Sequence, residues 1–209
     1  MHGGATIAWS RWRIVAVAAL AAGLLFGACS DGATKPTGIR DVDRAVEAVE
    51  SQDLDALLGL VKYLQEPCST NPQTDPLTLY TPPACPEGTS DGMPVDVIIT
   101  GNCEVGPTLP EAVEETLRGT MVEPAREVFA VVGPSTVFRW DFDYMLILAE
   151  VGEPDAPRTT IAGMRKSGIA LAAGYCGPVS EAVATSTSDG GRVVYVAPGV
   201  TLETPEPAP

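Results

Sequence analysis

An α+β fold, in which an N-terminal helical hairpin packs on a curved antiparallel sheet of four to six strands, is what the residue pattern of this chain predicts. Three observations carry that reading. Apolar residues recur at helical spacing from Ile39 to Leu64, interrupted once at Ser51-Gln52-Asp53. Beyond Val95, short runs rich in Val, Ile, Leu and Ala recur between turns that contain Gly or Pro. The connections between those runs are short, which favours antiparallel neighbours over crossovers.

Before any of these elements comes a leader. Arg11 and Arg13 precede Ile14–Phe26, an uncharged apolar run of 13 residues. As a helix at about 1.5 Å per residue it reaches about 20 Å, short of a membrane span. A basic lead, a short apolar core and small residues after it make a secretory signal peptide, residues 1–28. Phe26-Gly27-Ala28-Cys29 then resembles the lipobox of bacterial lipoproteins, with Phe26 where that family usually has Leu. The resemblance implies cleavage before Cys29, a thioether-linked diacylglycerol on its sulfur, palmitate-type acylation and retention at the cell membrane on the extracytoplasmic side. Two or three acyl chains exceed the threshold for stable anchoring, because each buried methylene contributes about 0.8 kcal/mol. Residues 29–38 would be a lipidated tether.

Cleavage leaves 11 of the 13 basic residues and all 27 acidic ones, a formal charge of −16. Such a surface repels phosphate backbones, so no nucleic-acid partner is expected. The single histidine is His2, inside the leader. A mature chain without histidine has no Ser-His-Asp or Cys-His nucleophile pair and no His-ligated metal. Neither a cofactor nor a metal is expected. Besides Cys29 there are Cys68, Cys85, Cys103 and Cys176, an even number that in an exported chain suggests two disulfides. Of the three possible pairings, Cys68–Cys85 is favoured because both lie in one Pro-rich loop, leaving Cys103–Cys176.

The elements follow in order through a domain expected to span 39–199. Ile39–Glu50 places Ile39, Val42, Val46 and Val49 on one helical face. Ser51 or Asp53 can cap a second helix over 54–64. Residues 66–94 hold seven prolines and read as a disulfide-stapled loop, in which Leu77, Leu79 and Tyr80 are placed to pack back onto the domain. Val95–Thr100 alternates as a strand. Thr108-Leu109-Pro110-Glu111 matches a capping box opening a helix to Arg118, with Leu109, Val113 and Leu117 buried. Strands follow at 125–132, 143–151, 158–164 and 169–175, with Ser167-Gly168 as a turn. Val179–Ala184 reads as helical, Arg192–Ala197 as a last strand and residues 200–209 as a disordered tail.

This order of elements, with AVEAVESQDLDALLGLV opening it, resembles the NTF2-like superfamily, a cone-shaped α+β fold that includes ketosteroid isomerase. The chain also looks like small exported lipoproteins with this opening and PC…C spacing. The resemblance to the cone implies a pocket between helices and sheet, but a fold does not assign an activity. An isomerase-like or dehydratase-like site would need a carboxylate base and an oxyanion donor. Asp141 and Asp143 are the candidates for the first, Tyr144 and Tyr175 for the second. Arg139-Trp140-Asp141-Phe142-Asp143-Tyr144, read as one strand, puts the charges on an outer face and the rings in the core. Met164-Arg165-Lys166 reads as the cap of a hairpin. The expected role is therefore non-catalytic, binding a small apolar ligand or an envelope protein partner. A histidine-free enzyme and a purely structural envelope protein are the alternatives.

Overall fold

The computed structural model describes residues 37–75, 80–153, 158–188 and 190–202. The leader, Cys29, Leu77, Leu79 and the tail from 203 onward lie outside the described residues. The described elements of secondary structure belong to the unit Pro36–Pro209.

Helix α1 is Arg40–Glu50, with Val42, Ala45, Val46, Ala48 and Val49 buried. At its start Thr37 donates its hydroxyl to Asp43 Oδ1 at 2.8 Å. Helix α2, Leu54–Gly59, opens on Asp53, whose side chain accepts the Ala56 amide at 2.9 Å. It is shorter than the pattern predicts. Leu64, which continues the helical spacing, belongs instead to strand β1, Leu64–Pro67. The chain leaves the helix because Lys62 N–H donates to Ile169 O and Ile169 N–H donates to Leu60 O, bonds that a helix could not offer.

Strand β2 is Pro94–Asn102 and β3 is Glu104–Thr108. They form a hairpin from Ile98↔Thr108 to Asn102↔Glu104. The expected capping box at Thr108 does not form. Thr108 is part of β3, its hydroxyl is bonded to that of Thr100, and the following 3-10 turn Pro110–Ala112 begins at Leu109 without a side-chain cap. Helix α3, Val113–Leu117, then continues as a π-helical turn, Arg118–Val122, past the expected end at Arg118. Val113 and Leu117 are buried as expected, Leu109 is only half-buried, against a separate core, and Met121 is added by the extra turn.

Next come β4 (Arg126–Gly133), β5 (Ser135–Val137), β6 (Trp140–Phe142), β7 (Tyr144–Glu150), β8 (Thr159–Arg165) and β9 (Gly168–Tyr175). Helix α4, Val179–Thr187, and strand β10, Arg192–Val196, complete the unit. The main sheet runs β1-β2-β9-β8-β7-β4-β10, with β3 on β2, while β5 and β6 pair separately. Neighbours are antiparallel except β2 and β9, which are parallel over Ile99↔Leu171 to Asn102↔Gly174. The sheet is thus mixed, and with its eight strands it exceeds the expected four to six. Register shifts in the β4–β7, β8–β9 and β10–β4 ladders add local bend and twist. The β8–β9 turn is made by Lys166 and Ser167, with φ of 48° and 66°, so Gly168 belongs to the strand.

Both faces of this sheet are buried. One face contributes Ile98, Val128, Val131, Leu146, Leu148 and Met164 to a core shared with α1, α2 and α3. The other contributes Ile99, Ala130, Val132, Met145, Ile147 and Leu171 to a second core, closed by Trp140, Phe142, Cys68 and α4 residues Val179, Ala182 and Val183. Double coverage is the physical reason β7 reads YMLILAE, a near-continuous apolar run rather than an alternating one.

Candidate functional site

The four residues singled out from the sequence do not meet in one place. Asp141 is exposed on β6 and accepts the Thr136 hydroxyl at 2.7 Å. Asp143 breaks the chain between β6 and β7, where its Oδ2 accepts the Lys166 amide at 2.7 Å. Asp141 is thereby engaged across the β5–β6 hairpin and Asp143 on the β8–β9 turn. Tyr144 packs against the helix-side core, whereas Trp140 and Phe142 lie in the other core. The predicted single aromatic face over 140–144 is therefore split, because the break at Asp143 starts a new strand. Tyr175, at the end of β9, donates to Glu181 Oε1 at 3.2 Å and shares a 2.9 Å hydrogen bond with the Thr185 hydroxyl. Burial raises its pKa, and Glu181 adds to that effect against the opposing Thr185 bond.

Tyr175 borders a cavity. This cavity, of about 120 Å³, sits at one end of the sheet and is lined by Asn102, Arg126, Arg158, Thr160 and Tyr175, with Cys103 and Cys176 at its rim. The register explains the gathering. Asn102 pairs with Gly174, Gly174 with Thr160, Thr159 with Tyr175, and Arg126 with Glu150 across β4 and β7. A Cβ on Gly174 would run into Asn102 Oδ1, so glycine is what lets the Asn102 amide lie across β9. Cys103 and Cys176 pair, with Cα atoms 5.0 Å apart, and Thr159 donates its hydroxyl to Gly177 O at 3.0 Å. These contacts brace the rim.

Arg126 is the electrostatic centre of the cavity. Its side chain is only 13% exposed, and its one ion pair among the described residues, to Glu150 Oε2, is long at 3.9 Å. Its Nε is buried without a hydrogen-bond partner among the described residues. Burial lowers its pKa and Glu150 pushes in the opposite direction, yet a guanidinium stays charged in a protein. Arg158 is exposed, and among the described residues no carboxylate pairs with it. The sequence reading missed both arginines. Arg126 opens an apolar strand and looks like an edge charge, and nothing local connects it to Arg158 or Asn102.

A second polar cluster ties the stapled loop to the β5–β6 hairpin. Cys68 and Cys85 pair, with Cα atoms 4.9 Å apart. Close by, Glu66 Oε2 accepts the Tyr80 hydroxyl at 2.9 Å and an Arg139 N–H at 3.4 Å, while its Oε1 accepts from Trp140 Nε1 at 3.3 Å. The Arg139 guanidinium carbon lies 3.9 Å from the Tyr80 ring centre and 4.7 Å from that of Trp140. This carboxylate beside a tyrosine is saturated by donors, which makes it an anchor rather than a free base.

Among the described residues no group of three or more His, Cys, Asp or Glu side chains is placed to hold a metal ion. Among the same residues no helix is long and apolar enough to cross a membrane. No protein-family model matches the chain, and neither a curated protein nor a solved structure matches it.

Proposed function

We propose that this chain is an extracytoplasmic lipoprotein, anchored to the membrane through lipid on Cys29, whose NTF2-like domain has a binding role rather than a catalytic one. The observation that carries the non-catalytic part is the interface between helices and sheet. Val42, Val49, Leu57, Leu117, Met121, Leu146 and Leu148 occupy it, each without solvent exposure. An isomerase-like site needs a carboxylate in an apolar cavity there, and apolar side chains take that space.

The strand order supports the NTF2-like reading. A hairpin of β2 and β3, β9 parallel to β2, and a β9-β8-β7-β4 meander with α1, α2 and α3 on one face and α4 on the other make one mixed sheet. The resemblance rests on that order and on the two opening helices. Two cysteine pairs at disulfide distance support an oxidising compartment, where such bonds persist. The role that follows is capture of a small ligand or of an envelope partner by a rigid, anchored body.

Cell fractionation of the full chain and of Cys29→Ala tests the anchor. The wild-type chain is expected in the membrane fraction and the variant in the soluble exported fraction. Membrane retention of Cys29→Ala after signal cleavage would refute it. A pull-down from the native envelope with both forms tests the binding role. Capture of no ligand or partner by either form counts against it.

A further inference from the structure

We infer that the cavity where Cys103 and Cys176 meet is a binding site for a small oxyanion of the carboxylate or phosphate class. The inference rests on the binding role proposed above and specifies its ligand, which is anionic rather than apolar. Arg126 carries the argument. It is a mostly buried cation whose only described ion pair is 3.9 Å long, and its Nε lacks a partner among the described residues. A buried charge without close compensation is costly, and a charge-assisted, two-pronged contact with an oxyanion supplies what is missing.

The rest of the lining suits the same ligand. Arg158 adds a second cation with no competing carboxylate among the described residues. Asn102, held across Gly174, offers an amide N–H donor, and Thr160 offers a hydroxyl. Tyr175 is already bonded to Glu181 and Thr185, so it forms wall rather than ligand contact. The volume of about 120 Å³ compares with roughly 150 Å³ for an apolar cavity that admits benzene. That leaves room for a phosphate or a short carboxylate. The disulfide pair and the Thr159–Gly177 bond hold the rim before any ligand arrives, which reduces the ordering cost of binding.

The full chain, purified in detergent, is titrated separately with inorganic phosphate and with succinate, with chloride at matched ionic strength as the control. Saturable heat on calorimetry with either probe is expected, and the tighter probe assigns the source. The Arg126 Nε–H resonance should move on saturation. Arg158→Gln, a substitution at an exposed position whose circular dichroism should match the wild type, should weaken binding at least tenfold. Arg126→Lys keeps the charge and loses the planar fork, and should weaken it similarly. No saturation with either probe, or unchanged affinity in both variants, overturns the inference. Membrane fractionation of the same chain reads the anchor separately, so a retained protein that fails to saturate refutes this site alone.

Discussion

Trp140 donates its indole N–H to Glu66 Oε1 at 3.3 Å, joining the β5–β6 hairpin to β1 across 74 residues of chain. The same carboxylate accepts from Tyr80 and Arg139, and its side chain is 15% exposed. Glu66→Ala leaves three donors around an empty place, two of them on large rings already in the core. The expected cost is about 1–3 kcal/mol, chiefly from the buried Trp140 indole N–H, since Arg139 is exposed enough to regain water. Urea unfolding should show a lower midpoint with an unchanged slope. An unchanged midpoint would mean that the cluster contributes nothing to the fold.

Tyr80 gives the cluster a pH signature. Burial, followed by the hydrogen bond and charge of Glu66, pushes its pKa from 10.0 up to about 12, against the opposing effect of Arg139. The folded state therefore holds the phenolic proton more tightly than the unfolded chain. That contribution is fully present below pH 10.0 and is lost as pH rises towards about 12. Unfolding midpoints of the wild type and of Tyr80→Phe, measured across that window, should converge as pH rises. A constant gap between them would show that the phenol titrates alike in both states.

The two disulfides should differ in worth. Cys103–Cys176 closes 73 residues and Cys68–Cys85 closes 17. Loop-closure entropy gives about 4 kcal/mol for the first and about 3 kcal/mol for the second, both as upper values. Cys103→Ser with Cys176→Ser is thus expected to lower the unfolding midpoint more than Cys68→Ser with Cys85→Ser. The reverse order would place the stabilisation in native contacts of the loop.

Gly163 lies under the Phe142 ring, and a Cβ there would meet ring carbons at 2.6 and 2.7 Å. Gly163→Ala should displace Phe142 from the second core at a cost of about 1–3 kcal/mol. The double variant Gly163→Ala with Phe142→Leu should recover part of that loss. No recovery in calorimetric melting would point to the β8 backbone instead.

Some of this architecture was legible residue by residue. The α1 face of Val42, Val46 and Val49, the Asp53 cap, and strands β4, β7, β8, β9 and β10 all follow from local pattern, because the period and the bounding Gly or Pro are encoded where they act. The pairing of Cys68 with Cys85 was legible too, since both lie in one loop. Strands β1, β3, β5 and β6 were not. Each is three to five residues long, too short for a period to register. Leu64 shows the conflict plainly. It extends a helical pattern, yet the edge of β9 captured the preceding residues and turned the chain into a strand.

By itself, then, the sequence settled what each stretch prefers, the α+β class, the absence of histidine beyond His2 and the acidic balance. Those are properties of residue types and of spacings within about a dozen positions. Only the tertiary structure decided that β9 runs parallel to β2, that both faces of the sheet are covered, and that Asn102, Arg126, Thr160 and Tyr175 share one cavity. The reason is physical. Pairing partners are selected by the burial and backbone hydrogen bonds of the whole sheet at once, so side chains tens of residues apart become neighbours through a register that no local stretch contains.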